Sequence, residues 1–299
     1  MKVYYTDRFE IELPVGHRFP MQKYRLVREG LLREGVLVEH ELAEPSLATR
    51  DVLLLAHTDR YVDAVLNGTL TPAEVRRIGF PWSEALVRRS LASVGGCLSA
   101  AWQALLEGAS GCLAGGTHHA FADAGEGYCV FNDIAVATLQ LLQAATVKRV
   151  AIIDLDVHQG NGNSSILGGR QEVFIFSMHA EKNYPFRKVP STLDISLPDN
   201  TEDEHYLELL AEALPRVFAF GPDIVFYQAG VDILKEDLLG RLSISLNAVA
   251  ERDRMVFSAC YEHGVPVAVT LGGGYCNPIA PTIAAHVGTY RMLKHVWKL

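Results

Sequence analysis

Four stretches of the chain, Val150 to Val157, Val173 to Met178, Ile224 to Tyr227 and Val267 to Leu271, are nearly continuous runs of apolar and mostly β-branched or aromatic residues. A strand with one face in water alternates apolar and polar side chains, whereas a strand covered on both faces does not, so these runs require helices on both sides of a mainly parallel sheet. Between and around them, Ser83 to Leu106, Asn132 to Ala145, Glu204 to Phe218, Leu246 to Tyr261 and Pro281 to Trp297 carry apolar residues at helical spacing, and Gly108, Gly221 and Gly264 follow three of these segments as stop signals. The alternation predicts an α/β protein, a three-layer α/β/α sandwich with a central, mainly parallel sheet. The chain has 299 residues, 49% of them hydrophobic, with no linker-like stretch, like-charge block or internal repeat, and one domain spanning 1–299 is expected.

A net charge of −8 argues against a nucleic-acid partner, whose phosphates demand a basic face, and is compatible with a cationic substrate. Met1 to Pro14 scatters Lys2, Asp7, Arg8, Glu10 and Glu12 among short apolar stretches, unlike a secretory signal, and no apolar run approaches the roughly 20 residues that span a bilayer. A cytoplasmic protein without a membrane partner is expected. Cys97, Cys112, Cys129, Cys260 and Cys276 are odd in number and form no C-x-x-C pair, which favours buried, reduced thiols over disulfides or a thiolate zinc site.

In such a sheet, chemistry collects in the loops beyond the carboxyl ends of the strands. The segment Asp154-Leu155-Asp156-Val157-His158 closes one of the apolar runs. Continued strand alternation would place Asp154, Asp156 and His158 on one face, with Leu155 and Val157 on the other. One Asp at a strand end is commonly a helix N-cap, and a lone His is commonly a hydrogen-bonded core residue. Two carboxylates and an imidazole packed together are a different matter, because like charges need a counter-cation, and Zn²⁺ takes ligands of both types. Asp232, where the run Ile224 to Tyr227 ends in a loop, offers a further ligand.

Two other loops carry chemistry-bearing side chains. Gly115-Gly116-Thr117-His118-His119-Ala120 pairs glycines, which let backbone approach a ligand, with adjacent histidines, which offer a general base and an acid or electrostatic partner; an accidental surface pair is the plain alternative. Leu271-Gly272-Gly273-Gly274-Tyr275 lacks the Lys-Ser/Thr of a phosphate loop and opens no G-x-G-x-x-G helix, so nucleotide binding is not indicated. Its glycines leave room for the Tyr275 hydroxyl to act as an oxyanion donor, against an alternative of ordinary packing.

Together, G-G-T-H-H-A at 115 to 120, G-Y-C-V-F-N-D at 127 to 133, D-L-D-V-H-Q-G-N-G at 154 to 162, A-G-V-D at 229 to 232 and G-G-G-Y at 272 to 275 resemble the histone deacetylase family in order and spacing, from His17 to the C-terminal helices. Gln159, Asn161, the N-T-E-D-E at 200 to 204 and the segment 232 to 245 look most like class IV deacetylases and their bacterial relatives. The resemblance implies the arginase/deacetylase fold and hydrolysis of an acyl-lysine peptide or protein by metal-activated water. It places the zinc ligands, with Fe²⁺ as the alternative ion, on Asp156, His158 and Asp232, the paired histidines on His118 and His119, and the oxyanion tyrosine on Tyr275. It gives Asp154 the task of orienting His118 and of helping Asp156, His158, Ser177 and Met178 enclose a structural K⁺. Tyr128 and Tyr184 match the aromatics that flank the lysine stem, and Gly127, Leu239 and Gly273 complete the implied substrate contacts.

Asn161 stands where class I members keep a second Asp. A neutral partner cannot raise an imidazole's pKa by charge, so His119 is expected to stay neutral, as a general base should. An arginase-like ureohydrolase would need two metals and extra carboxylates, which Asn161 and the residues after Asp232 do not offer. Acetylpolyamine amidohydrolases place a Glu seven residues beyond the last zinc ligand, where this chain has Leu239. A non-catalytic acyl-lysine binding module would have no use for a water-activating set. G-x-S-x-G of the serine hydrolases is missing.

Overall fold

The computed structural model describes residues 1–299. Eight strands, β1 (Val3–Tyr4), β2 (Leu42–Ala43), β3 (Ala109–Cys112), β4 (Val150–Asp154), β5 (Val173–Ala180), β6 (Leu193–Leu197), β7 (Ile224–Gln228) and β8 (Val267–Thr270), form one sheet in the order β2-β1-β3-β8-β7-β4-β5-β6. Every adjacent pair is parallel. The helices are α1 (Lys23–Arg33), α2 (Arg50–Leu53), α3 (Asp59–Asn67), α4 (Pro72–Ile78), α5 (Glu84–Glu107), α6 (Asp133–Gln143), α7 (Asn161–Leu167), α8 (Asp203–Ala219), α9 (Leu246–Glu262) and α10 (Ala280–Trp297).

Right-handed crossovers explain how these helices divide. The connections into β3, β4 and β5 move one way along the sheet, and those from β6 to β7 and from β7 to β8 move back. Accordingly α5 packs on α6 and α6 on α7, while α8 packs on α9, α9 on α10 and α10 on α1. The strands between these layers, β3, β4, β7 and β8, are buried at every residue, and only the edge strand β6 exposes alternate residues.

Local signals set the helix ends. Ser83, Asn132 and Ser245 accept backbone N–H groups at the starts of α5, α6 and α9. Thr71 and Glu74 form a capping box on α4, which starts with Pro72 and ends at Gly79 in the left-handed region.

Candidate active site

The four strands β3, β8, β7 and β4 lie side by side, and the loops that leave their carboxyl ends carry 115–119, 272–275, 229–232 and 155–158. All four converge. The last of these loops corrects the simplest reading of the sequence: β4 stops at Asp154, so strand alternation does not aim Asp156 and His158. Instead each carboxylate turns the chain locally. Asp154 Oδ1 accepts the Asp156 N–H at 3.2 Å, and Asp156 Oδ1 accepts the His158 N–H at 3.0 Å. Leu155 and Val157 still pack into the core.

Asp232 enters from β7, where its Oδ1 accepts the Val157 N–H at 2.9 Å. His158 Nδ1 then lies 3.0 Å from Asp156 Oδ1 and 3.1 Å from Asp232 Oδ2. One ligand atom from each of Asp156, His158 and Asp232 falls within 4.8 Å of the others. Ligands about 2.0–2.1 Å from a tetrahedral zinc are separated by about 3.3 Å, so the trio has the spacing of three ligands on one small cation. Its electrostatics fit as well. Burial and the neighbouring Asp156 charge push Asp232 up to about 7, the penalty of confining two carboxylates that a divalent cation relieves. Burial opposes a charge on His158, yet Asp156 and Asp232 lift it to about 10.

The backbone must come very close here. Gly273 donates its N–H to Asp156 Oδ2 at 2.7 Å, and a Cβ at that position would overlap the Asp232 carboxylate. No residue but glycine leaves the trio intact.

His118 and His119 rest beside the trio with ring centroids 4.1 Å apart. His118 Nδ1 lies 2.7 Å from Asp154 Oδ2, and His119 Nδ1 lies 2.7 Å from Asn161 Oδ1. Asn161 Nδ2 donates to Glu126 Oε1, which fixes the amide with its oxygen toward His119. His119 therefore carries its proton on Nδ1 and presents a free Nε2 lone pair. Burial pulls both imidazoles down, but the Asp154 and Asp156 charges and the Asp154 hydrogen bond raise His118 to about 9. For His119, burial is joined by the His118 and His158 charges, and it stays well below the ordinary histidine value.

A cavity of ≈ 690 Å³ reaches this point from the surface and is lined by His118, His119, Asp156, His158 and Tyr275, together with Gly127, Tyr128, Tyr184, Leu239 and Gly273. Tyr184 stands edge-on to His119 at 5.0 Å, and its hydroxyl donates to Glu126. Tyr128 has a positive φ of 66°, and its ring packs at a tilt among Phe19, Phe80 and His17. At Gly127 a Cβ would stand 2.9 Å from His119 Cδ2 and 3.2 Å from Tyr184 Cε1. Burial, then the Asp232 and Asp156 charges, keep the Tyr275 hydroxyl protonated.

Asp154, Asn161 and Asp232 stand behind the cavity wall as partners of groups that line it. Ser177 and Met178 lie further back, with Ser177 in register beside Asp154 and its hydroxyl 3.0 Å from His179 Nδ1. Sequence reasoning missed several supports. Asp133, from α6, accepts the N–H groups of Gly116 and Thr117 at 2.9 Å each and so shapes the loop before His118. Gln228 donates to the Gly116 carbonyl at 2.9 Å. On the other side of the sheet, Arg252 of α9 donates to the Gly230 carbonyl at 2.5 Å, and Asp253 holds the Tyr227 and Thr289 hydroxyls. Only Asp133 had a signal, at the end of the G-Y-C-V-F-N-D motif.

Comparison with known proteins identifies the class to which this site belongs. The histone deacetylase domain family matches residues 17–290, and the chain belongs to that family. It is 43% identical to an uncharacterized protein of Picosynechococcus, over 99% of this chain and 98% of the relative. It is 34% identical to histone deacetylase 2 of Arabidopsis thaliana, over 95% of this chain and 77% of that protein. The solved structure of a histone deacetylase homologue from Aquifex aeolicus shares the fold with a TM-score of 0.81, covering 99% of this chain and 88% of that one at 24% identity. The fold is the arginase/deacetylase sandwich, and family membership supports deacetylase-type hydrolysis of an acyl amide. No helix is long and apolar enough to cross a membrane, and all five cysteines are buried and free.

Proposed function

We propose that this protein is a zinc-dependent amidohydrolase that removes acyl groups from the ε-amine of lysine in a peptide or protein. The observation that carries the proposal is the buried Asp156-His158-Asp232 trio at the wall of a cavity, with a charged and a neutral histidine beside it. Zn²⁺ on the trio, or Fe²⁺ in its place, would polarise the amide carbonyl and lower the pKa of water, in favourable sites to about 7. The chain's own groups do the rest. Tyr128 and Tyr184 flank the lysine stem with flat apolar rings, and Gly127, Leu239 and Gly273 leave its path open. Nε2 of neutral His119 takes the proton of the attacking water, while Asn161 holds the Nδ1–H. Protonated His118 steadies the developing negative charge and supplies the proton for the departing amine. Tyr275 donates its hydroxyl to the oxyanion.

Other readings of the same fold fit less well. A ureohydrolase needs carboxylates for a second metal, and the chain offers one metal-ligating trio. A polyamine substrate is cationic, yet the cavity is lined by Arg18, Arg76, Arg77, Lys182 and Arg241 and by a single carboxylate, Asp156. A passive binding module does not call for the histidine pair. Structural K⁺ near Asp154 and Ser177, a cytoplasmic location supported by the free thiols, and a single catalytic domain complete the proposal. The test is purified protein, with its zinc content measured, against lysine peptides carrying acetyl through myristoyl groups and against acetylated polyamines. Metal-dependent release of lysine peptide is expected. Turnover of none of these substrates by zinc-loaded protein would remove the reading.

A further inference from the structure

The cavity does not end at the catalytic groups. Beyond Tyr275 lies Phe19, with ring centroids 6.3 Å apart, and beyond Phe19 lies the guanidinium of Arg89, 5.9 Å from the Phe19 ring and 4.4 Å from that of Tyr24. Arg89 projects from α5, and Ser93 lines the same cavity one turn further along the helix. The arginine is only 9% exposed, and its Nη1 is buried with no hydrogen-bond partner. Arg252, the other buried arginine, lies 2.7 Å from the Asp253 carboxylate, whereas no carboxylate pairs with Arg89. Stacking on Tyr24 satisfies the flat face of Arg89 but not its N–H edge. A cation confined this way, without a carboxylate, is costly unless an anion reaches it.

We infer that Arg89 receives a carboxylate at the far end of the acyl group, so that the preferred substrates are ω-carboxyacyl-lysines. The inference rests on the acyl-lysine reading and names the acyl class for the same site. A plain acyl chain in this arm leaves the guanidinium edge bare. A terminal carboxylate meets it with two parallel charge-assisted hydrogen bonds. The chemistry is otherwise unchanged: water adds to the amide carbonyl, the C–N bond breaks, and a free lysine amine and a dicarboxylate leave. The cationic residues around the cavity draw the same substrate inward.

The zinc-loaded full chain is assayed on one peptide whose lysine carries acetyl, butyryl, pentanoyl, hexanoyl, succinyl, glutaryl or adipoyl. At least one carboxyacyl group is expected to exceed its length-matched neutral partner by on the order of 10²-fold in kcat/KM, and Arg89→Met to erase most of that ratio. Neutral acyl peptides cleaved as well as or better than every carboxyacyl peptide overturn the inference and leave the acyl-lysine reading standing. Cleavage of none of the seven overturns the inference, and the acyl-lysine reading falls with it only when peptides carrying longer acyl chains, up to myristoyl, are also left intact. Inhibition by free acetate or succinate that Arg89→Met abolishes, without a carboxyacyl preference in the parent, assigns the guanidinium to released acid and also overturns the inference. Should the Met variant fail to fold, Arg89→Lys, which keeps the charge but loses the fork, is expected to lower the ratio, and the parent's own ratio decides.

Discussion

His118 and His119 are consecutive, both buried, and 4.1 Å apart between ring centroids beside the metal-ligating trio, yet their hydrogen-bond partners differ by one charge. The partner of His118 is the Asp154 carboxylate at the end of β4, and the partner of His119 is the Asn161 amide at the start of α7. The Asp154 and Asp156 charges hold the proton on His118, while burial and the His118 and His158 charges keep it off His119, whose amide partner brings no charge to oppose them. Added positive charge at the trio lowers both values, and the order between them stays with the partners. A site that needs an acid and a base can thus build both from one dipeptide.

The most severe way to break this comparison is to remove what both histidines serve. Asp232→Ala is expected to lose its bound zinc and all measurable turnover, read by metal analysis and a peptide assay together; stoichiometric zinc in that variant would refute the ligand set. Next, His119→Ala is expected to lower kcat by on the order of 10³ and His118→Ala by on the order of 10², so that single-turnover rates rank the base above its partner. The reverse ranking would exchange the two roles. Tyr275→Phe is expected to reduce kcat by on the order of 10² with zinc and fold retained, and near-normal turnover would take the hydroxyl out of the mechanism.

The finest test exchanges the partners themselves. Asn161→Asp adds a carboxylate beside His119 and raises its pKa, so the acid limb of the pH–rate profile, where the base becomes protonated, should move to higher pH by about one unit. Asp154→Asn removes the charge that lifts His118, so the basic limb, where the acid loses its proton, should move to lower pH. Limbs that stay in place in both variants would show that neither histidine governs the profile.

Much of this was legible in the residues. The runs that became β4, β5, β7 and β8 announce strands buried on both faces, and the motifs mark the loops at their ends. The two-residue strands β1 and β2 are too short to carry a period, and β3, Ala-Ser-Gly-Cys, lacks β-branched residues altogether. The grouping of Asp154, Asp156 and His158 was anticipated for a different reason than the one observed, since turns made by the carboxylates replace strand alternation. Gln228 and Gly116 are 112 positions apart and Arg252 and Gly230 are 22, and no local pattern encodes such pairings. Arg89 reads as an ordinary residue of an amphipathic helix until its lack of a partner is seen in three dimensions.

Asp133 belongs to a helix on one side of the sheet and Arg252 to a helix on the other, and each grips the backbone of a different loop at the site. The catalytic geometry is therefore a gauge of the spacing between the two helical walls. Trimming a buried side chain that does not line the cavity, such as Val256 or Ile134, would let one wall settle against the sheet and slide half of the constellation past the other. Turnover would then decline while the protein still melted as a cooperative unit, and inactive variants would be found deep in the helices as well as around the cavity.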